Sequence, residues 1–179
     1  MDGNVIETWT SEAGKAHVIK KLEVGKTYIL REEFAPYRYL QAADVEFTVV
    51  DTEEIQSVVM KDEVPTGTII VNKEGEFLCD VNLVADHWYS FIFDYFKDSL
   101  AGVTFEVYAR EDIVSPDGLD TVYYEADELV ATIVTNDDGI AMISDLPLGK
   151  YYLVETKTLE GYVLDSTPIE AELTYIDQY

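Results

Sequence analysis

One stretch of this sequence occurs twice, and the repeat limits what the chain can fold into. Near the start it reads Leu22-Glu-Val-Gly-Lys-Thr-Tyr-Ile-Leu-Arg-Glu32, with Tyr39 seven residues after the glutamate. Near the end it reads Leu146-Pro-Leu-Gly-Lys-Tyr-Tyr-Leu-Val-Glu155, with Tyr162 again seven residues on. Each copy is a leucine, a glycine turn, an alternating strand and a glutamate. A repeated supersecondary unit predicts an array of similar β modules, and such arrays serve as spacers or binding surfaces before they serve as enzymes.

The rest of the chain agrees with an all-β reading. Val45–Val50, Ile55–Met60, Thr68–Lys73, Val103–Ala109 and Ile169–Tyr175 read as strands, as do residues 4–9 and His17–Ile19. Leu129–Val134 and Ile140–Ile143 flank Asn136-Asp-Asp-Gly139, which predicts a hairpin. Its oxygens resemble a calcium loop but lack the twelve-residue spacing and closing glutamate, and no metal site is expected. Val64-Pro-Thr-Gly67 is the candidate linker. One segment breaks the pattern: Phe77, Val81, Val84, Trp88, Phe91, Ile92, Tyr95 and Phe96 fall at helical spacing, so a helical insertion over about 78–98 is expected. It is either a lid on the sandwich or a partner-seeking element, with Trp88, Phe91 and Tyr95 as candidate contacts. His87 reads as a helix-face residue.

Composition excludes several functions. A net charge of −24 argues against nucleic acid, which needs clustered Lys and Arg, and against anionic membranes. Cys79 is the only cysteine, so no intrachain disulfide can form. No apolar run is long enough to cross a membrane. Two histidines, His17 and His87, with no nucleophile motif beside them, make a hydrolase a poor reading. No cofactor-binding glycine loop is present.

The repeated segment resembles the conserved glutamate box of Cna-B-type domains, also called SpaA-like or prealbumin-like repeats, the stalk modules of Gram-positive pilins and surface adhesins. The resemblance is strong at Gly149–Glu155 with Glu160-Gly-Tyr162, and Ala101-Gly-Val-Thr-Phe-Glu-Val-Tyr108 supports it. In the first copy Arg38 stands at the glycine of that pattern, and one extra residue follows Gly25. The resemblance implies tandem immunoglobulin-like or prealbumin-like β-sandwich modules: 1–64 as the back of a first module, 65–67 as linker and 68–179 as a second module short of its last strand. It implies an extracellular, wall-anchored stalk that projects an adhesive tip, not a turnover enzyme. Its partners would be neighbouring modules, a pilin subunit or a host ligand.

It also implies an isopeptide chemistry. In the family, a lysine on the first strand joins an asparagine or aspartate on the last, assisted by the box glutamate. Lys73 matches the nucleophile, Glu155 and Glu32 match the assisting glutamate, and Asp62 matches the acceptor of the first module. A lysine attacks only when neutral, which burial favours, and a buried carboxylic acid can polarise the acceptor and carry the proton. The plain alternative for Lys73 and Glu155 is an ion pair at a strand end. Offsets place the acceptor for Lys73 beyond Tyr179 and the lysine for Asp62 before Met1, so neither cross-link is expected to close within this chain. Tyr28, Tyr39, Tyr152 and Tyr162 are expected to pack.

Overall fold

In a computed structural model, the chain is described over residues 3–86 and 88–179, without the side chains of 85, 86, 88 and 89. His87 therefore lies outside the described residues, as does the Trp88 side chain. The fold is all-β, in two compact units: residues 1–63 with 178–179, and residues 64–177.

The larger unit is a sandwich. Ten strands build it: β3 (Thr66–Asn72), β4 (Glu74–Asp86), β5 (Trp88–Ser99), β6 (Thr104–Ala109), β7 (Ile113–Val114), β8 (Val122–Tyr124), β9 (Leu129–Val134), β10 (Ile140–Pro147), β11 (Gly149–Lys157) and β12 (Ile169–Leu173). An antiparallel sheet in the order β12-β11-β6-β9 faces the pair β10-β3. Alternation sets which side is dry, because successive side chains on a strand point to opposite faces. Phe105, Val107 and Ala109 of β6 point inward with Tyr151 and Leu153 of β11. From the facing pair come Ile69, Ala141 and Leu146, and Leu100, Val103, Ile113 and Ile133 close the cluster. Thr135 caps one end: its hydroxyl donates to the Leu100 carbonyl (2.7 Å) and accepts from the Val103 N–H (3.0 Å).

The structure corrects two expectations in this unit. β9 and β10 are not a hairpin. β9 pairs with β6 and β10 with β3, so the Asn136–Gly139 turn carries the chain from one sheet to the other. The Asn136 side chain accepts from the Asp138 and Ile140 N–H groups (3.0 and 2.9 Å), closing the turn on itself. The expected helical insertion is a long β-hairpin, β4–β5, with Phe77 opposite Phe96, Leu78 opposite Tyr95 and Leu83 opposite Phe91. A bulge at Cys79 adds one residue to β4, so Leu78 and Val81, three apart, share a face. Both faces of the ribbon carry apolar side chains, Phe77, Ile92 and Phe96 on one and Val81, Phe91 and Tyr95 on the other, and the two rows read together imitate helical spacing. The segment's aromatic and β-branched content favours strands.

The smaller unit has one ladder, β1 (Thr27–Leu30) against β2 (Val45–Thr48). Residues 4–9 and 17–19 form no strand. They meet instead through Trp9 stacked on His17 (4.3 Å) and His17 Nε2 on Glu7 (2.8 Å). Ile55–Met60 also makes no ladder; the bridge between Leu40 and Glu63 lies just beyond it. No hydrophobic residue described in this unit is buried.

Candidate functional site

The site in the larger unit begins with the lysine's backbone. Lys73 directly follows β3. Its N–H donates to the Gly139 carbonyl (2.8 Å), and its carbonyl accepts from the Leu100 N–H (2.9 Å). Gly139 has φ +71°, and a Cβ there would come within 2.5 Å of the Lys73 carbonyl oxygen. The sheet-crossing turn therefore fixes where the lysine starts, and only glycine fits that approach.

The lysine side chain then runs to Glu155. Nζ lies 2.7 Å from Oε2, with the two side chains 26% and 3% exposed. Glu155 is the last inward residue of β11, opposite Phe105, so alternation that buries Tyr151 and Leu153 also buries a carboxylate. A buried carboxylate needs its lone pairs filled. Oε2 has the ammonium, whereas Oε1 has no hydrogen-bond partner among the described residues. Nearby, the Ser166 hydroxyl donates to the Glu155 carbonyl (3.1 Å). Asp165 is held below its ordinary range by hydrogen bonds from the Thr167 hydroxyl and N–H, and the Lys73 charge adds to this. The pocket thus offers an ammonium, a buried carboxylate with one open oxygen, and a carboxylate kept ionised.

The smaller unit repeats the geometry with different members. Glu32 follows β1 as Glu155 ends the inward row of β11. Its Oε2 accepts from the Ala42 N–H (2.8 Å). Asp62 lies within electrostatic reach of it: burial, and then the Glu32 charge, push the Asp62 carboxyl above its usual range. A cavity of about 510 Å³ in this unit is lined by residues 40–45, 59–61 and 63.

The structure therefore brings Lys73 to Glu155 and Glu32 to Asp62. Phe91 and Tyr95 are exposed on the β4–β5 hairpin and take no part in the Lys73–Glu155 pair. Tyr162 packs edge-on against Phe77, and Tyr152 stacks on Tyr108. Three residues escaped sequence reasoning. Tyr151, beside the expected Tyr152, is the buried one, with its hydroxyl donating to the Pro147 carbonyl (2.6 Å). Burial pushes its pKa up to about 12. Gly139 was legible as a turn glycine but not as the lysine's seat. Asp165 carried no signal.

A family model for the SpaA prealbumin-like fold domain matches residues 1–64 and 94–178. The match takes in most of the chain, and the chain belongs to that family. The matched segments contain Glu32, Asp62 and Glu155; Lys73 and most of the β4–β5 hairpin lie between them. No curated protein matches. Similar solved structures include the Bacillus anthracis TIE protein at 23% identity and a TM-score of 0.45, with 83% of this chain and 22% of that one covered. The group B streptococcus pilus 2b backbone protein aligns at 20% identity and a TM-score of 0.40, covering 80% and 44%. GBS52, the minor pilin of Streptococcus agalactiae, aligns at 18% identity and a TM-score of 0.36, covering 87% and 57%. The chain thus spans less than two thirds of each of these proteins.

Proposed function

We propose that this chain is a stalk segment of a Gram-positive cell-wall surface protein or pilin, of the type locked by a lysine–asparagine or lysine–aspartate isopeptide bond. Its role is mechanical: it projects a distal adhesive region and touches neighbouring modules or subunits. The observation that carries the reading is the Lys73–Glu155 pair, a lysine held 2.7 Å from a buried carboxylate whose second oxygen is open. Membership of the SpaA family supports it.

The chemistry assigned to the pair balances without a cofactor. Glu155 takes a proton from the Lys73 ammonium, freeing its lone pair. Protonated Glu155 then hydrogen-bonds the acceptor carbonyl as the amine attacks it. The attack forms the new C–N bond; the nitrogen of the tetrahedral adduct then gives up a proton, which Glu155 relays to the leaving group, and collapse breaks the bond to it, expelling ammonia from an asparagine or water from an aspartic acid. Holding the groups on adjacent strands supplies the effective concentration. Glu32 and Asp62 fill the glutamate and acceptor roles of the other module. Each bond forms once, so the protein is not a turnover enzyme.

The test is peptide mapping of the parent protein released from cell walls. The Lys73 peptide should be joined to an asparagine or aspartate peptide with the loss of one ammonia or one water, and Glu155→Ala should abolish the link. Free Lys73 in the mature wall-bound protein sinks the cross-link. Absence of the protein from the wall fraction sinks the stalk.

A further inference from the structure

We propose that the β4–β5 hairpin is a self-association arm, and that the apolar outer stretch of one of its faces docks against the same stretch of a second copy of this chain. The proposal does not rest on the isopeptide reading. Cross-strand partners lie on one face of a ribbon, so the register sorts the residues. One face carries Leu78 and Tyr95, Val81 and Phe93, and Leu83 and Phe91, with Glu76 opposite Lys97 at its base. The other carries Phe77, which stacks on Phe96 and meets Tyr162 edge-on, followed by Asp80 opposite Asp94 and Asn82 opposite Ile92. The Asn82 amide donates to Asp94 (2.9 Å), so along the outer stretch of the ribbon the carboxylates Asp80 and Asp94 lie on that second face.

Area chooses the occupant. Phe91, Phe93 and Tyr95 are 61%, 53% and 59% exposed, and their three aliphatic neighbours 43–55%. With about 150–250 Å² of surface per aromatic ring and less per aliphatic side chain, the six leave roughly 500–700 Å² in water. That is at the upper end of, or above, the roughly 300–600 Å² of the largest patch on a typical monomer. Doubled across a two-fold axis it gives roughly 1,000–1,400 Å², reaching the range of a stable interface. The ribbon itself calls for a cover. Neither β4 nor β5 pairs with any third strand among the described residues, and a two-stranded hairpin alone is marginal in water. Two ribbons face to face make a small sandwich with a dry centre.

The charge of −24 sets the orientation. Strands of this length reach roughly 40 Å. Stacked tip to base, the hairpins hold the two sandwiches at opposite ends, several times the roughly 8 Å screening length of physiological salt apart. In this arrangement Leu78 covers Leu83 of the other copy, and Phe93 meets its own counterpart near the axis.

Sedimentation equilibrium of the full chain across a wide concentration range, at physiological salt, tests the proposal. A reversible monomer–dimer equilibrium is expected. F91E/F93E should weaken it by roughly 100-fold or more, since buried aromatic anchors dominate such interfaces. D94K, on the opposite face, should preserve it. As a check that survives any misfolding of the double variant, F93C in a C79S background should be joined into a dimer by a short bis-maleimide, whose reach suits facing sheets about 10 Å apart. A chain that stays monomeric at every concentration overturns the proposal, as does a dimer that persists in a folded F91E/F93E variant or an F93C variant that does not cross-link.

Discussion

The two units carry the same local instructions and reach different degrees of burial. Aligned on their glutamates, Tyr28, Leu30 and Glu32 correspond to Tyr151, Leu153 and Glu155, and in both units these three face inward. Both tyrosines tie back to the preceding loop: Tyr151 donates to the Pro147 carbonyl, and the Tyr28 hydroxyl accepts from the Glu23 N–H (2.9 Å). Even the turn after the glutamate is shared, since Arg38 (φ 71°) adopts the left-handed backbone that Gly161 (φ 90°) adopts in the other copy. Yet Tyr151 and Leu153 are fully buried while Tyr28 and Leu30 are only half-buried. The difference lies in neighbours. β11 is flanked by β6 and β12 and faced by β3 and β10, whereas β1 has β2 alone. A motif of this kind specifies strand, turn and facing direction, and the surrounding strands specify the core.

The strongest way to break the comparison is to truncate the equivalent leucines. Leu153→Ala removes a side chain from a closed core and should cost about 2–5 kcal/mol. Leu30→Ala, at a half-open position, should cost under about 1 kcal/mol. Denaturant melts followed by hydrogen exchange separate the two, with amides in residues 101–175 outlasting those in 1–62. Equal costs, or equal protection, would mean the smaller unit has a core of its own.

Next in size is the site. Lys73→Met leaves Glu155 buried without its ammonium. Removing one partner of a fully buried pair costs about 3–5 kcal/mol, and Lys73's partial exposure brings this change below that range, to about 2–3 kcal/mol. Glu155→Gln should cost less, because a neutral amide needs no counter-charge. A Lys73→Met variant as stable as the parent would reduce the pair to a surface contact.

How much of this was legible follows from what each feature depends on. The strands of the repeat and the inward glutamates were readable because alternation along one strand carries them; the Lys73–Glu155 pairing joins two different strands and came only from the family resemblance. The β4–β5 hairpin was misread because both of its faces carry apolar residues, so the alternation that marks a half-buried strand is lost. The β9–β10 crossover was misread because a hairpin turn and a sheet-to-sheet turn use the same residues; only pairing partners distinguish them. Asp165 gains its place from a loop that ends beside Lys73, and no local pattern encodes that proximity.

A smaller effect sharpens the shared turn. Arg38 holds a backbone conformation that costs a side chain about 1 kcal/mol or more, and Gly161 holds the same conformation freely. Arg38→Gly should therefore stabilise the smaller unit by about 0.5–1 kcal/mol, after the glycine's greater loss of freedom on folding. A loss of stability there would show that the arginine's own contacts outweigh its strain.

The finest contrast is between the carboxyls beside the two glutamates. Asp62 is raised from 3.8 by burial and by Glu32, and Asp165 is lowered from 3.8 by Thr167 and Lys73. The signs oppose. Folded Asp62 takes up its proton before the unfolded chain does, so its ionisation costs the smaller unit stability as pH rises from 3.8 through its raised value. Asp165 contributes stability above 3.8 and loses it as pH falls through its lowered value. Melts alone blur this, because Arg31 lowers Asp44 in the smaller unit and pulls the opposite way. Carboxyl-carbon NMR titration reads each group directly: Asp62 should titrate above 3.8 and Asp165 below it. Glu32→Gln should bring Asp62 part of the way down, since burial is the larger cause and remains. If Asp62 titrates at or below Asp165, the two glutamates do not sit in equivalent sites with opposite partners.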